Sequence, residues 1–208
     1  VDTPQETLPV TVPIPGRFTV YNALGALACC YDLGIPLAKA IQALEKVPPV
    51  KGRLEVVPVP APYTVVIDYA HTPDALEQVL ADARRVTQGR LICLFGCGGD
   101  RDKTKRPVMG EIAASLSDLV ILTSDNPRTE DPEAILDQVA AGFPRGFADY
   151  HREPDRRAAI ALALSLGRAG DVILLAGKGH ETYQEIGKNR LPLDEREEIA
   201  SFFQKSKV

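Results

Sequence analysis

The 208-residue sequence contains no uninterrupted apolar stretch of the roughly 18 residues that a membrane helix needs, and no basic segment leading into an apolar one. Neither a membrane span nor a secretion signal is therefore expected, and the expected location is cytoplasmic. No long basic run occurs and the formal charge is −4, which excludes a general grip on nucleic-acid phosphates. Gly 16 and Pro 17 are ordinary amounts, so collagen-like and linker-dominated chains are excluded. The four cysteines (Cys29, Cys30, Cys93, Cys97) form no C-x-x-C pair, and His71, His151 and His180 are scattered. Structural zinc is not expected, and reduced thiols are the natural reading. What is present is a hydrophobic fraction of 45% beside 25% charged residues, enough to bury a core. At roughly 100–200 residues per domain, the length allows one large domain or a domain with a fragment.

Two compositions follow one another along the chain. Residues 1–15 are proline-rich and aperiodic, suiting a loop or edge strand. Residues 17–33 space their apolar positions helically, and Pro36 opens a second helix that runs through Leu44. Pro48, Pro49 and Gly52 punctuate 46–53, which is the expected hinge or boundary. From Leu54 onward, short apolar runs occur at 54–59, 64–67, 91–95, 119–122 and 172–175, with 147–150 as a further candidate strand. Helical patterns occupy 74–86, 105–116, 132–141, 155–166 and 194–204. Continuously apolar strands alternating with helices imply an α/β fold, a mostly parallel sheet of five or six strands with helices on both faces. In such sheets ligands bind beyond the carboxyl ends of the strands.

The loops at that end are rich in chemistry. Asp68-Tyr69-Ala70-His71-Thr72-Pro73 follows one strand; Asp68 either caps its own loop or faces sugar hydroxyls or a metal, and Thr72 with Pro73 suits a helix start. Gly96-Cys97-Gly98-Gly99-Asp100-Arg101-Asp102-Lys103 follows the next. Its glycines permit close backbone approach to a ligand, although the dinucleotide spacing G-x-G-x-x-G is absent; a flexible connection with a solvated helix start is the alternative. Asp125-Asn126-Pro127-Arg128 follows the third, and Arg128 can offer a two-donor fork to a carboxylate. Gly177-Lys178-Gly179-His180-Glu181 follows the last; it lacks the Ser/Thr and the upstream glycine of a phosphate loop. Asp68, Arg101, Arg128 and Glu181 are thus expected at one end of the sheet. Arginines and carboxylates mixed in one crevice suit a zwitterion.

The segments GRFTVYNALGAL (16–27), GRLE (52–55), DYAHTPDAL (68–76), FGCGGDRDKTKRP (95–107), SDNPRTEDP (124–132) and GKGHETYQ (177–184) resemble, in this order, the Mur ligases. These are the ATP-dependent amino-acid-adding enzymes of peptidoglycan synthesis, and the likeness is to their diaminopimelate-adding branch. The resemblance implies that 1–50 is the end of a central ATPase domain and 51–208 a C-terminal Rossmann-like domain. It implies that Arg101, Asp125, Asn126, Pro127, Arg128, Gly177 and Glu181 bind meso-diaminopimelate. It further implies that Asn22 meets adenine, Arg53 the nucleotide phosphates and Asp68 the ribose; Thr19 stands where the family often has a second asparagine. ATP and Mg2+ are the implied co-substrate and cofactor, and the UDP-N-acetylmuramoyl dipeptide and diaminopimelate the implied partners of a monomer. No metal ligand and no catalytic residue is assigned within these residues, because the family's phosphate loop, magnesium ligands and carbamylated lysine belong to the part of the central domain that cannot be matched here. A stand-alone amino-acid or nucleotide-binding module, and a folylpolyglutamate synthetase or another amino-acid-adding ligase, are the alternatives; the Asn-Pro-Arg signature speaks against the last two.

Overall fold

The computed structural model describes residues 1–205, and the chain divides into two compact units, Val1–Val50 and Lys51–Val208. In the first, α1 (Arg17–Asp32) starts after Gly16, whose φ of 104° favours glycine. It stops where Gly34 turns left-handed (φ 73°) and donates to the Tyr31 carbonyl. Pro36 sets the entry to α2 (Leu37–Leu44). Leu27, Leu37 and Ile41 form a small cluster with Val1, Leu8 and Val10 packed against it. Phe18, Val20, Tyr21 and Leu24 of α1 remain exposed.

In the second unit a six-stranded sheet runs in the order β1 (Glu55–Val57), β2 (Thr64–Asp68), β6 (Val172–Ala176), β3 (Leu91–Phe95), β4 (Leu119–Leu122) and β5 (Tyr150–Arg152). Every pairing is parallel except β1 with β2. Alternate side chains of the central strands enter two separate cores, as the two-residue period of a strand requires. On one face Val66, Cys93, Phe95, Val120, Leu122 and Leu174 meet α3 (Pro73–Val86), α4 (Lys105–Leu116) and α5 (Pro132–Ala140). On the other, Val65, Ile67, Ile92, Leu94, Ile121 and Ile173 meet α6 (Arg156–Leu166) and α7 (Glu195–Lys205). Helix starts are specified locally: Thr72 accepts from Ala75 N–H, Asp131 from Glu133 N–H and Asp155 from Arg157 and Ala158 N–H, the first two with proline at the opening position.

Three features depart from the sequence expectation. The candidate strand at 147–150 forms later, at Tyr150–Arg152: Phe147 N–H donates back to the Pro144 carbonyl in a turn, and the rings of Phe143, Phe147 and Tyr150 pack together. An antiparallel hairpin, β7 (Tyr183–Ile186) and β8 (Asn189–Pro192), follows the β6 loop and had no counterpart in the expected elements. Its turn is marked by Gly187 at φ 58°. β1 is also short: Pro58 and Pro60 cannot donate to a ladder and end it.

Candidate functional site

Because β2, β3, β4 and β6 are parallel, the loops that leave them gather on one rim, and Asp68, Arg101, Arg128 and Glu181 all lie there. The chain leaves β2 and β3 toward helices on one face, while β6 leads through the hairpin to α7 on the other. β6 therefore sits at a change of winding direction, where α/β sheets open a crevice.

The glycines of the β3 loop serve that crevice indirectly. A methyl at Gly96 would meet the Thr123 carbonyl at 2.1 Å, and one at Gly99 the Pro127 carbonyl at 1.9 Å. Their missing side chains thus let the backbone of 123–127 lie against the β3 loop; no ligand is needed to explain them. Most of the charges behind them are also engaged internally. Asp100 accepts from Thr129, Asp102 from Thr104, and Lys103 pairs with Glu130. Arg101 differs, being exposed with one bond to the neighbouring Asp100 carbonyl.

Arg128 is held tightly. Its φ of 51° is left-handed, a conformation that costs a non-glycine residue about 1–3 kcal/mol and persists only when the surroundings impose it. The surroundings here are the hairpin: Arg128 N–H donates to the Glu185 carbonyl (3.0 Å), and Gly187 N–H donates to the Arg128 carbonyl (2.7 Å). Its side chain donates from Nε to Glu185 (2.9 Å) and from Nη1 to the Gly99 carbonyl (2.8 Å). A guanidinium has five donors, so three remain for a ligand. Arg190 and Arg128 together hold the Glu185 carboxyl below its usual range.

Asn126, 4% exposed, is held from both sides. Its Oδ1 accepts from Lys178 Nζ (3.1 Å) and Glu185 N–H (2.9 Å), and its Nδ2 donates to Glu181 Oε2 (3.0 Å). Lys178 Nζ also donates to Glu181 Oε2 (2.8 Å). The Asp125 carboxylate takes no hydrogen bond among the described residues, although the residue is 8% exposed. It lies against Gly177, where an added methyl would be 2.7 Å from Oδ2 and where φ is 113°. Pro127 supplies the carbonyl that Gly99 accommodates.

The remaining expected residues fall in three places. Asp68, at the end of β2, accepts from Leu54 N–H (2.7 Å) and Ala70 N–H (2.8 Å), one on each oxygen. Burial pushes its carboxyl up despite these bonds. Arg53 lies over the Tyr69 ring at 5.2 Å, and that ring also packs against His71 and His180. Burial, helped by the Glu181 and Asp125 charges, raises the Tyr69 phenol. Asn22 is exposed on α1 in the first unit.

Lys178 and Glu185 are the residues the motifs did not single out. Lys178 was visible in the sequence only as a lysine of a failed phosphate loop. Glu185 belongs to the hairpin, for which the turn dipeptide Gly187-Lys188 was the available signal.

The family description "Mur ligase, glutamate ligase domain" matches residues 52–179. The UDP-N-acetylmuramoyl-L-alanyl-D-glutamate--2,6-diaminopimelate ligase of Clostridioides difficile is 49% identical over 195 residues, 94% of this chain and 40% of that protein. The enzyme of the same name from Synechococcus elongatus is 50% identical over 199 residues, 95% of this chain and 40% of its own length. A solved structure of a ligase of that name superposes with a TM-score of 0.74 at 40% identity, covering 99% of this chain and 42% of that one. At 23% identity, a Mycobacterium tuberculosis folylpolyglutamate synthase shares the fold, with a TM-score of 0.64. The chain thus spans about two fifths of the length of the curated relatives it matches. With its family segment laid over most of the parallel sheet, the chain belongs to the Mur ligase family.

Proposed function

We propose that this chain is the C-terminal part of an ATP-dependent ligase that adds meso-diaminopimelate to UDP-N-acetylmuramoyl-L-alanyl-D-glutamate. In this reading 1–50 ends the central ATPase domain and 51–208 is the amino-acid-binding domain. The exposed apolar side chains of α1 are what the end of a larger domain would present. The observation that carries the reading is the pairing, on loops of one rim, of open acceptors with spare arginine donors: the Asp125 carboxylate and Glu181 Oε1 take no hydrogen bond among the described residues, and Arg128 and Arg101 keep unused N–H groups. Such a set matches an amino acid carrying both ammonium and carboxylate groups.

The reaction this implies has two steps. The dipeptide's terminal carboxylate takes the γ-phosphoryl group of ATP, giving an acyl phosphate and ADP. The diaminopimelate amine then attacks the acyl carbon, and the tetrahedral intermediate expels phosphate as the amide forms. The residues here would hold that amine in line, with Asp125 and Glu181 on ammonium groups, Arg128 and Arg101 on the distal carboxylate, and Asn126, Pro127 and Gly177 shaping the pocket. Asn22, Arg53 and Asp68 would meet adenine, phosphates and ribose. Among the described residues no group of three or more His, Cys, Asp or Glu is arranged to hold a metal. No helix among them is long and apolar enough to cross a membrane.

The test is specificity in the complete ligase. Lysine lacks the distal carboxylate, so Arg128 would lose a charge-assisted partner worth roughly 1.5–3 kcal/mol, about tenfold to a hundredfold or more in preference. Arg128→Ala should raise the KM for diaminopimelate and spare that for ATP, and Arg128→Lys should do nearly the same because it lacks the planar fork. An unchanged diaminopimelate-to-lysine preference in an active Arg128→Ala enzyme overturns the assignment.

A further inference from the structure

Lys178 has a side-chain exposure of 0%, yet it is not paired in isolation. Its ammonium is buried and spans two loops, reaching Asn126 of the β4 loop at 3.1 Å and Glu181 of its own loop at 2.8 Å, with the Tyr183 ring 5.5 Å away. Burying an ammonium costs several kcal/mol unless its partners compensate, so this charge is retained at a cost that an apolar residue would avoid. What the ammonium does to its partners is specific. Both of its acceptors are side chains on the rim, and each is left with one defined way to point. Glu181 Oε2 is occupied by Lys178 and Asn126 together, which leaves Oε1 as the oxygen free for a ligand. Asn126 must aim Oδ1 at Lys178 and at the Glu185 N–H, so its amide nitrogen can only face Glu181.

We infer that Lys178 is a positioning residue for amino-acid specificity: from its buried site it fixes the rotamer of Glu181 and the orientation of Asn126, so that one carboxylate oxygen is presented to a ligand ammonium. This rests on the assignment of Glu181 to the amino-acid substrate. Lys178 touches no substrate itself; it acts through Glu181. A purely structural lysine would instead brace the two loops, and its loss would lower stability without altering which amino acid is preferred.

A double-mutant cycle in the complete ligase separates these. Lys178→Met, Glu181→Gln and the double variant are compared for the KM of diaminopimelate, the KM of ATP, kcat and melting temperature. A parallel competitor is 2-aminopimelate, which keeps both carboxylates and one amine. Lys178→Met should raise the KM for diaminopimelate about tenfold or more, leave that for ATP within twofold, and compress the preference over 2-aminopimelate. The double variant should be no worse than Glu181→Gln alone, since a residue acting through another gives non-additive effects. Additive effects, or a Lys178→Met enzyme with a lowered melting temperature and an unchanged KM, overturn the inference. If Glu181→Gln itself leaves the KM for diaminopimelate unchanged, the substrate assignment of Glu181 fails instead. Lys178→Leu, which fills the buried site with an apolar side chain and removes the donor, replaces Lys178→Met if the latter does not fold, and the same outcomes apply.

Discussion

Alanine at Gly99 tests how the rim is built. Its added methyl would stand 1.9 Å from the Pro127 carbonyl, where ordinary contact begins near 3.4 Å. The obstacle is backbone, so it cannot swing aside, and the 123–127 segment or the β3 loop must retreat by about 1.5 Å. The Gly99 carbonyl also accepts from Arg128 Nη1, so the same shift removes one of the two side-chain bonds that aim the guanidinium. Overpacking of this kind costs about 1–3 kcal/mol, a fall in Tm of roughly 3–10 °C for a domain of this size. A misplacement near 1 Å in a substrate-positioning group costs about 10²-fold in rate. Initial rates of the complete ligase, with amino acid and ATP varied separately, should show kcat/KM for the amino acid falling by about that factor while the ATP KM holds. Gly25→Ala, whose methyl meets nothing within 4 Å, is the control that adds a methyl without touching the rim. A Gly99→Ala enzyme with wild-type amino-acid kinetics refutes the claim that loop-to-loop contact sets the position of Arg128.

Other perturbations follow from the same structure. Gly25 lies inside α1 with nothing within 4 Å of an added methyl, so Gly25→Ala should raise stability by about 0.5–1 kcal/mol, read by denaturant unfolding. The Arg196 guanidinium holds the Glu55 carboxyl below its ordinary value near 4.5. A carboxyl lowered in the folded state adds stability above its unfolded pKa and loses it as pH falls through the folded one, so Glu55→Gln should flatten the unfolding curve below about pH 4.5 relative to wild type. Burial pushes the Cys93 and Cys97 thiols up to about 12, whereas Cys29 is exposed. Iodoacetamide at pH 8 should therefore alkylate Cys29 in the native protein and spare Cys93 and Cys97 until it unfolds, as peptide mass spectrometry would show.

The sheet was legible because its central strands are buried on both faces, so Leu91–Phe95 and Val172–Ala176 read as unbroken apolar runs. The helices were legible from their caps; Thr72-Pro73 and Asp131-Pro132 open α3 and α5 where the sequence indicated. The hairpin was not, because Tyr183–Ile186 is short and only partly buried and Asn189–Pro192 is wholly exposed, which leaves no apolar period to detect. In the candidate site, motifs named the side chains that line the rim but not what holds them. That Arg128 leans on Glu185, and Glu181 on Lys178, depends on which loops the topology brings together. The glycines of 96–99 carried a real signal of close approach, but sequence alone could not tell a ligand from the neighbouring backbone.

Arg53 enters the second unit on a segment fastened at every turn. Lys51 pairs with Asp194, Gly52 N–H donates to Glu55, Glu55 pairs with Arg196, and Leu54 N–H is held by Asp68. Gly52 and Gly179 are in backbone contact too close for a side chain on either. Arg53 and the loop bearing Glu181 are consequently parts of one stiff piece of the second unit, so a substitution that displaces the 51–54 segment displaces that loop with it.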